Sequence, residues 1–190
     1  MELKFKEAEV SDVEAIVALV NRAYRGPEAR KTWTNEAAML DGQRTDDESV
    51  RALIAQHDST FLLAYDAFDS DRSGREVSKR HLVACVQLEF LDQKTCYLGM
   101  LTVDPAIQGA GIGRRVLNSA EIFVQKTRPE IKKIEMTVIT VREELVAWYE
   151  RRGYWRTGIY KPFPYGDERF GIPLVENLQF EVLEKNLNFE

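Results

Sequence analysis

From Leu101 to Arg115 the chain reads LTVDPAIQGAGIGRR: an apolar strand-like run, a turn with glycines at 109, 111 and 113, and then a helical pattern. A strand that feeds through a glycine turn into a helix commits the surrounding fold to mixing sheet and helix. Glycines at alternate positions let the main chain approach a ligand without Cβ contacts. The unpaired N–H groups and positive dipole end of the helix's first turn then favour a phosphate there. Arg114 and Arg115 add positive charge to the same corner.

Two familiar phosphate motifs do not fit this turn. A dinucleotide fingerprint, G-x-G-x-x-G, would place its last glycine at Arg114 or Val116, depending on the register. A P-loop requires Gly-Lys-Ser/Thr, and neither lysine nor hydroxyl follows Gly113. NAD and ATP are therefore poor ligands for it.

The rest of the chain alternates in the same way, as expected of one α/β domain spanning residues 1–190. Strands are predicted at Leu3–Ala8, Thr60–Tyr65, Leu82–Phe90, Cys96–Val103, Ile134–Thr140 and Phe180–Leu183. The short link from Leu91 to Thr95 makes the third and fourth an antiparallel pair. Ser11, Asp12 and Glu14 signal the start of a helix carrying Val13, Ile16, Val17 and Val20. Two more helices are expected between Asn35 and Gln56, parted near Asp41–Asp47. Ile112, Val116, Ala120, Phe123 and Val124, at offsets 0, 4, 8, 11 and 12, line one helical face that Pro129 stops. Glu143–Arg152 forms a short helix closed by Gly153, and the polar stretch Asp66–Arg80 reads as a solvated loop.

A chain of 190 residues needs no metal or disulfide staple. Its net charge of −5 argues against a nucleic-acid binder, which would carry a basic excess. No apolar run approaches the roughly 18 residues of a membrane span. Cys85 and Cys96 are too few for a disulfide framework, so the protein is expected in the cytoplasm with reduced thiols. His57 and His81, 24 positions apart among polar neighbours, read as surface residues, which weakens any triad reading.

Gln108-x-x-Gly111-x-Gly113 after a strand ending Val-Asp-Pro resembles the acetyl-CoA loop of the GNAT superfamily of N-acyltransferases. One helix and one strand later, Trp148-Tyr149-Glu150-Arg151-Arg152-Gly153-Tyr154 is similar to that superfamily's Y-E-x-x-G-F/Y element, and the resemblance covers most of the chain. It implies a mixed, mostly antiparallel sheet of about seven strands flanked by helices, with strands splayed at an acetyl-CoA site. It also implies direct acetyl transfer to the primary amine of a small-molecule acceptor by a monomer or homodimer, without a metal. Main chain at Leu101, Thr102 and Val103 would hold the pantetheine arm, and Gln108, Gly109, Ala110, Gly111, Ile112, Gly113 and Arg114 the diphosphate. Placed in that second motif, Tyr149 would be the acid that protonates the departing thiol; read on its own, it is a core aromatic beside Leu145 and Trp148.

Such a reaction must also remove a proton, since an amine of pKa about 10.4 costs about 4.6 kcal/mol to deprotonate at pH 7. Many relatives place a coenzyme-contacting asparagine where this chain has Arg142, which either pairs with a coenzyme phosphate or caps its helix. Histone-type relatives place a glutamate base near the position of Thr95; Glu89 on the preceding strand, or a water, is the replacement. By the same resemblance Trp33, Asp41, Arg44, Asp46, Asp167, Glu168 and Arg169 border the acceptor, although their segments also suit tight turns. Two other readings stay open: a protein or peptide acceptor, and a non-catalytic acyl-CoA binder.

Overall fold

A computed structural model of the protein describes residues 1–26, 36–67, 81–167 and 170–187. Trp33, Glu168, Arg169 and most of the expected loop Asp66–Arg80 lie outside the described residues.

Strand β1 (Leu3–Glu7) leads through a short turn into helix α1 (Val13–Arg25). Asp12 ties that turn, its Oδ2 accepting the N–H of Glu9 at 2.8 Å. Then come β2 (Leu40–Asp41), α2 (Asp47–Ala55), β3 (Ser59–Asp66), β4 (Leu82–Phe90) and β5 (Thr95–Val103). The chain closes with α3 (Ile112–Thr127), β6 (Lys133–Ile139), α4 (Glu143–Glu150), β7 (Trp155–Pro162), β8 (Ile172–Pro173) and β9 (Gln179–Asn186). Seven strands form one sheet in the order β1-β3-β4-β5-β6-β9-β7, and β2 pairs with β8 apart from it. Every neighbouring pair in the large sheet is antiparallel except β5 with β6, which α3 connects as a crossover.

Helices cover both faces, so β3 and β4 are buried almost throughout rather than alternating. On β3, Phe61 and Leu63 pack with Val13, Ile16, Val20 and Val50 of α1 and α2. The intervening Leu62 and Ala64 point the other way, into the cluster built by Val116, Leu117, Ala120 and Val124 of α3. Val146 and Tyr149 of α4 extend that second cluster.

Three expectations change. Residues 36–41 form a turn and β2 instead of the first of two helices. β7, unread in the sequence, is the sheet's edge, and seven of its eight residues are exposed, so no burial pattern marks it. Arg115, expected at the phosphate corner, donates instead to the carbonyl of Met1 at 2.9 Å. No described helix is long and apolar enough to cross a membrane, and no described cluster of His, Cys, Asp and Glu could hold a metal.

Two irregularities open the middle of the sheet. β5 and β6 pair only at Thr95↔Lys133, Cys96↔Ile134 and Tyr97↔Glu135 before they part. The Tyr97 and Thr137 hydroxyls, 2.9 Å apart, link the two strands across the widening gap. Opposite β4 the register slips between Cys85 and Gln87, where Met100 takes φ +45°, a left-handed conformation that few L residues adopt.

Asp104 anchors the end of β5. Its Oδ1 accepts the Ala106 N–H at 3.0 Å, and its Oδ2 pairs with Arg22 at 2.7 Å and His81 at 3.2 Å. Burial raises the Asp104 pKa, but the Ala106 N–H, His81 and Arg22 outweigh it and hold the carboxyl below its ordinary value. That stabilisation is present above the unfolded pKa of about 3.9 and is lost as pH falls through the lower folded value. Asp104→Ala is expected to cost about 1.5–3 kcal/mol in urea melts at pH 7. The gap from the parent should narrow at pH 3; an unchanged gap would contradict the assignment.

Candidate active site

The parted strands, the glycine turn and α4 enclose two cavities. The first, about 600 Å³, lies against Leu101, Thr102 and Val103 of β5, the turn at Gln108, Gly109 and Gly111, and the start of α3 at Ile112, Gly113 and Arg114. Gly109 and Gly111 have φ of +87° and +74°, and a Cβ on either would meet nothing within 4 Å. Their glycines are required by the turn's left-handed backbone, which leaves the space above the loop open. Gly113 has ordinary backbone, and a Cβ there would rest 3.5 Å from Trp148.

Charge in this cavity opposes that of the whole chain. Among the described residues, Arg114, Arg142, Arg151 and Arg152 border it, against the single carboxylate of Glu144. Arg152 lies 3.6 Å over the Trp148 ring and donates to the Trp148 carbonyl. Burial first, then Arg151 and Arg114, lowers the Arg152 pKa. Four guanidiniums beside a helix N-terminus and an open main-chain turn suit a ligand with several negative charges.

The second cavity, about 460 Å³, fills the gap between β5 and β6. Glu36, Arg44, Glu89, Glu135 and Lys161 supply its charge, and Phe163, Phe170 and Phe180 part of its apolar wall. The two cavities meet at Tyr24, Leu101, Arg142, Leu145 and Tyr149, which border both. Tyr149 is 6% exposed and set edge-on between Trp148 and Tyr154. Burial pushes its pKa well above the ordinary tyrosine value. Tyr24 donates to the Leu101 carbonyl at 3.2 Å, and burial raises its pKa to about 12.

The acetyltransferase (GNAT) family profile matches residues 27–154. The chain belongs to this family of acetyltransferases. No curated protein matches it in sequence. Among solved structures it is similar to the ribosomal-protein-S18-alanine N-acetyltransferase of Escherichia coli, with 12% identity, a TM-score of 0.67, and coverage of 100% of this chain and 96% of that one. It is also similar to the spermidine/spermine N-acetyltransferase of Vibrio cholerae, with 15% identity, a TM-score of 0.61, and coverage of 97% and 92%. A Staphylococcus aureus Mu50 N-acetyltransferase gives 9% identity, a TM-score of 0.69, and 98% of both chains. Members of the family use acetyl-CoA as co-substrate and amines as acceptors.

Several residues assigned by resemblance to the family's motifs stand elsewhere. Gln108 borders the first cavity, but its side chain donates to the Val103 carbonyl at 3.1 Å, bracing the strand end. Ala110 borders neither cavity. Arg142 begins α4 without capping it, and its Nη1 donates instead to Glu36 at 3.0 Å. Asp46 caps α2 by accepting the Ser49 N–H at 2.7 Å, and Asp41 accepts the N–H of Gly42 at 2.8 Å. Neither aspartate borders a cavity, and nor does Asp167, whose N–H closes a turn onto Pro164. Arg44 and Glu89 do border the second cavity.

Sequence reasoning missed Tyr24, Glu36, Glu135, Arg151, Arg152 and Lys161 as cavity residues. Arg151 and Arg152 were readable from their place in the second motif, one turn beyond Tyr149. Tyr24 gave no signal of its own, since it continues the apolar spacing of α1.

Proposed function

We propose that the protein transfers acetyl from acetyl-CoA directly to the primary amine of a small-molecule acceptor in the cytoplasm. The observation that carries this is the meeting of a cationic and an acceptor-sized cavity at the phenol of Tyr149, whose hydroxyl, unlike that of Tyr24 on the same wall, has no hydrogen-bond partner among the described residues. The turn fits the co-substrate's diphosphate, with open space above Gly109 and Gly111 and with Arg114, Arg151 and Arg152 around it. Acetyl-CoA supplies the activated acetyl group as a thioester.

Glu89 takes the acceptor's ammonium proton. It borders the acceptor cavity, receives only a long 3.4 Å bond from Gln87, and has no ion-pair partner among the described residues. Main-chain donors of β5, where β6 has left it, face the carbonyl oxygen as charge develops there. The Tyr149 hydroxyl donates to the departing sulfur. Dry surroundings disfavour phenolate and thiolate alike, so the proton passes between two groups whose pKa values rise together. An acyl-enzyme route has no cysteine to use: Cys85 and Cys96 are free and buried, border neither cavity, and have thiols pushed up to about 12 by burial. Two reduced thiols also suit the cytoplasm.

Thiol release from acetyl-CoA across a panel of small amines tests this reading. Turnover with at least one is expected, and Glu89→Gln should lower kcat by about 10²-fold or more, with the loss shrinking as pH rises and the amine deprotonates unaided. Coenzyme binding without turnover at any pH contradicts the proposal.

A further inference from the structure

Resting on that transferase reading, we infer that the acceptor carries a carboxylate close to its amine, as an α-amino acid does, and that Arg142 receives it. The charges of the acceptor cavity nearly cancel in pairs. Lys161 holds Glu135 at 3.2 Å. Glu36 lies between two guanidiniums, Arg25 at 2.8 Å and Arg142 at 3.0 Å. Among the described residues, what is left over is the carboxylate of Glu89 and a positive surplus at Arg142 and Arg44.

The surplus at Arg142 is the unusual part. Arg25, Glu36 and Arg142 make a triad of two cations and one anion, with side chains only 7%, 10% and 7% exposed. Arg142 uses Nη1 for Glu36, while its Nη2 is shut from solvent without a hydrogen-bond partner among the described residues. A buried guanidinium N–H left unpaired is costly, and an anion arriving beside it removes that cost. Neither neighbouring tyrosine supplies one, because burial keeps Tyr24 and Tyr149 protonated. The coenzyme diphosphate has its own guanidiniums at the α3 end, whereas Arg142 stands beside Tyr149 at the shared wall, bound to a glutamate that borders the acceptor cavity alone. Arg44, lying 5.5 Å over the Tyr24 ring, adds a second cation to that cavity and has no ion pair among the described residues.

An acceptor with an ammonium toward Glu89 and a carboxylate toward Arg142 and Arg44 matches this pattern. A polyamine does not, since its second cation would meet the surplus positive charge unpaired.

Matched pairs decide it: leucine, methionine and phenylalanine, each against the amine left when its carboxyl group is removed, with spermidine as a further acceptor, read by thiol release from acetyl-CoA. Each amino acid should exceed its amine in kcat/KM by about 10- to 150-fold, the range of one charge-assisted bond. Arg142→Gln should bring that ratio close to one, and Glu36→Gln should keep it well above one. Equal or better turnover of the amines or of spermidine overturns the inference and leaves the transferase reading standing. If no amine turns over, the transferase reading fails, and a second measurement still decides this one. Calorimetry on the CoA-loaded protein should then find N-acetyl-leucine binding more tightly than its methyl ester; equal or absent binding overturns the proposal.

Discussion

Tyr149→Phe lowers kcat by about 10²–10⁴-fold, the usual worth of a positioned proton donor, and leaves the affinity for acetyl-CoA nearly unchanged. The ring fills the same space between Trp148 and Tyr154 in either case, so packing is kept and only the hydroxyl is lost. That hydroxyl has no hydrogen-bond partner among the described residues and is not among the polar atoms sealed from solvent, so its removal leaves no orphaned group behind. The pH dependence separates this role from a merely structural one. Burial raises the Tyr149 pKa, so the phenol remains an acid throughout the assay range. The parent's rate should climb with pH as the acceptor amine deprotonates, with no fall below about pH 10. The variant should run parallel and lower across that range, as stopped-flow or steady-state thiol release would show. Unchanged turnover at every pH would remove Tyr149 from the chemistry.

Gly111→Asp abolishes most coenzyme binding while the protein stays folded. Gly111 begins α3 at φ +74°, a conformation that aspartate tolerates better than most residues, and an aspartate there can accept the helix's own first N–H groups. Those are the donors a diphosphate would use, and the added carboxylate repels it as well. Calorimetry with acetyl-CoA should show a loss of about 10- to 150-fold or more, since at least one charge-assisted contact disappears. Gly111→Ala separates strain from charge: it carries the conformational cost of about 1–3 kcal/mol but no anion, so its affinity should fall much less. Equal losses in the two variants would mean that the turn is rigid scaffold, not an anion cradle.

What could be read in advance follows from locality. α3 shows its buried face at helical spacing, and β3 and β4 are apolar because helices cover both sides of the sheet, so each carries its own signature. The turn at 108–113 was legible because left-handed φ at Gly109 and Gly111 leaves few residue choices. β7 was not legible: an edge strand exposed along nearly its whole length has no buried face to pattern it. Arg142 and Glu36 are 106 positions apart and meet only because α4 begins where the parted strands open, so no spacing rule links them. Asp41 and Asp46 were misread for the opposite reason. Turn and cap chemistry uses the same residue types as ligand binding, and here nearby main-chain N–H groups claim their carboxylates.

The most direct measurement is a crystal structure of the protein with coenzyme A. The diphosphate should lie on the main-chain N–H groups between Gly109 and Arg114, and the thiol should point through the wall shared by the two cavities to within hydrogen-bond reach of the Tyr149 hydroxyl. A coenzyme seated away from that turn, or a sulfur directed away from residue 149, would contradict the account.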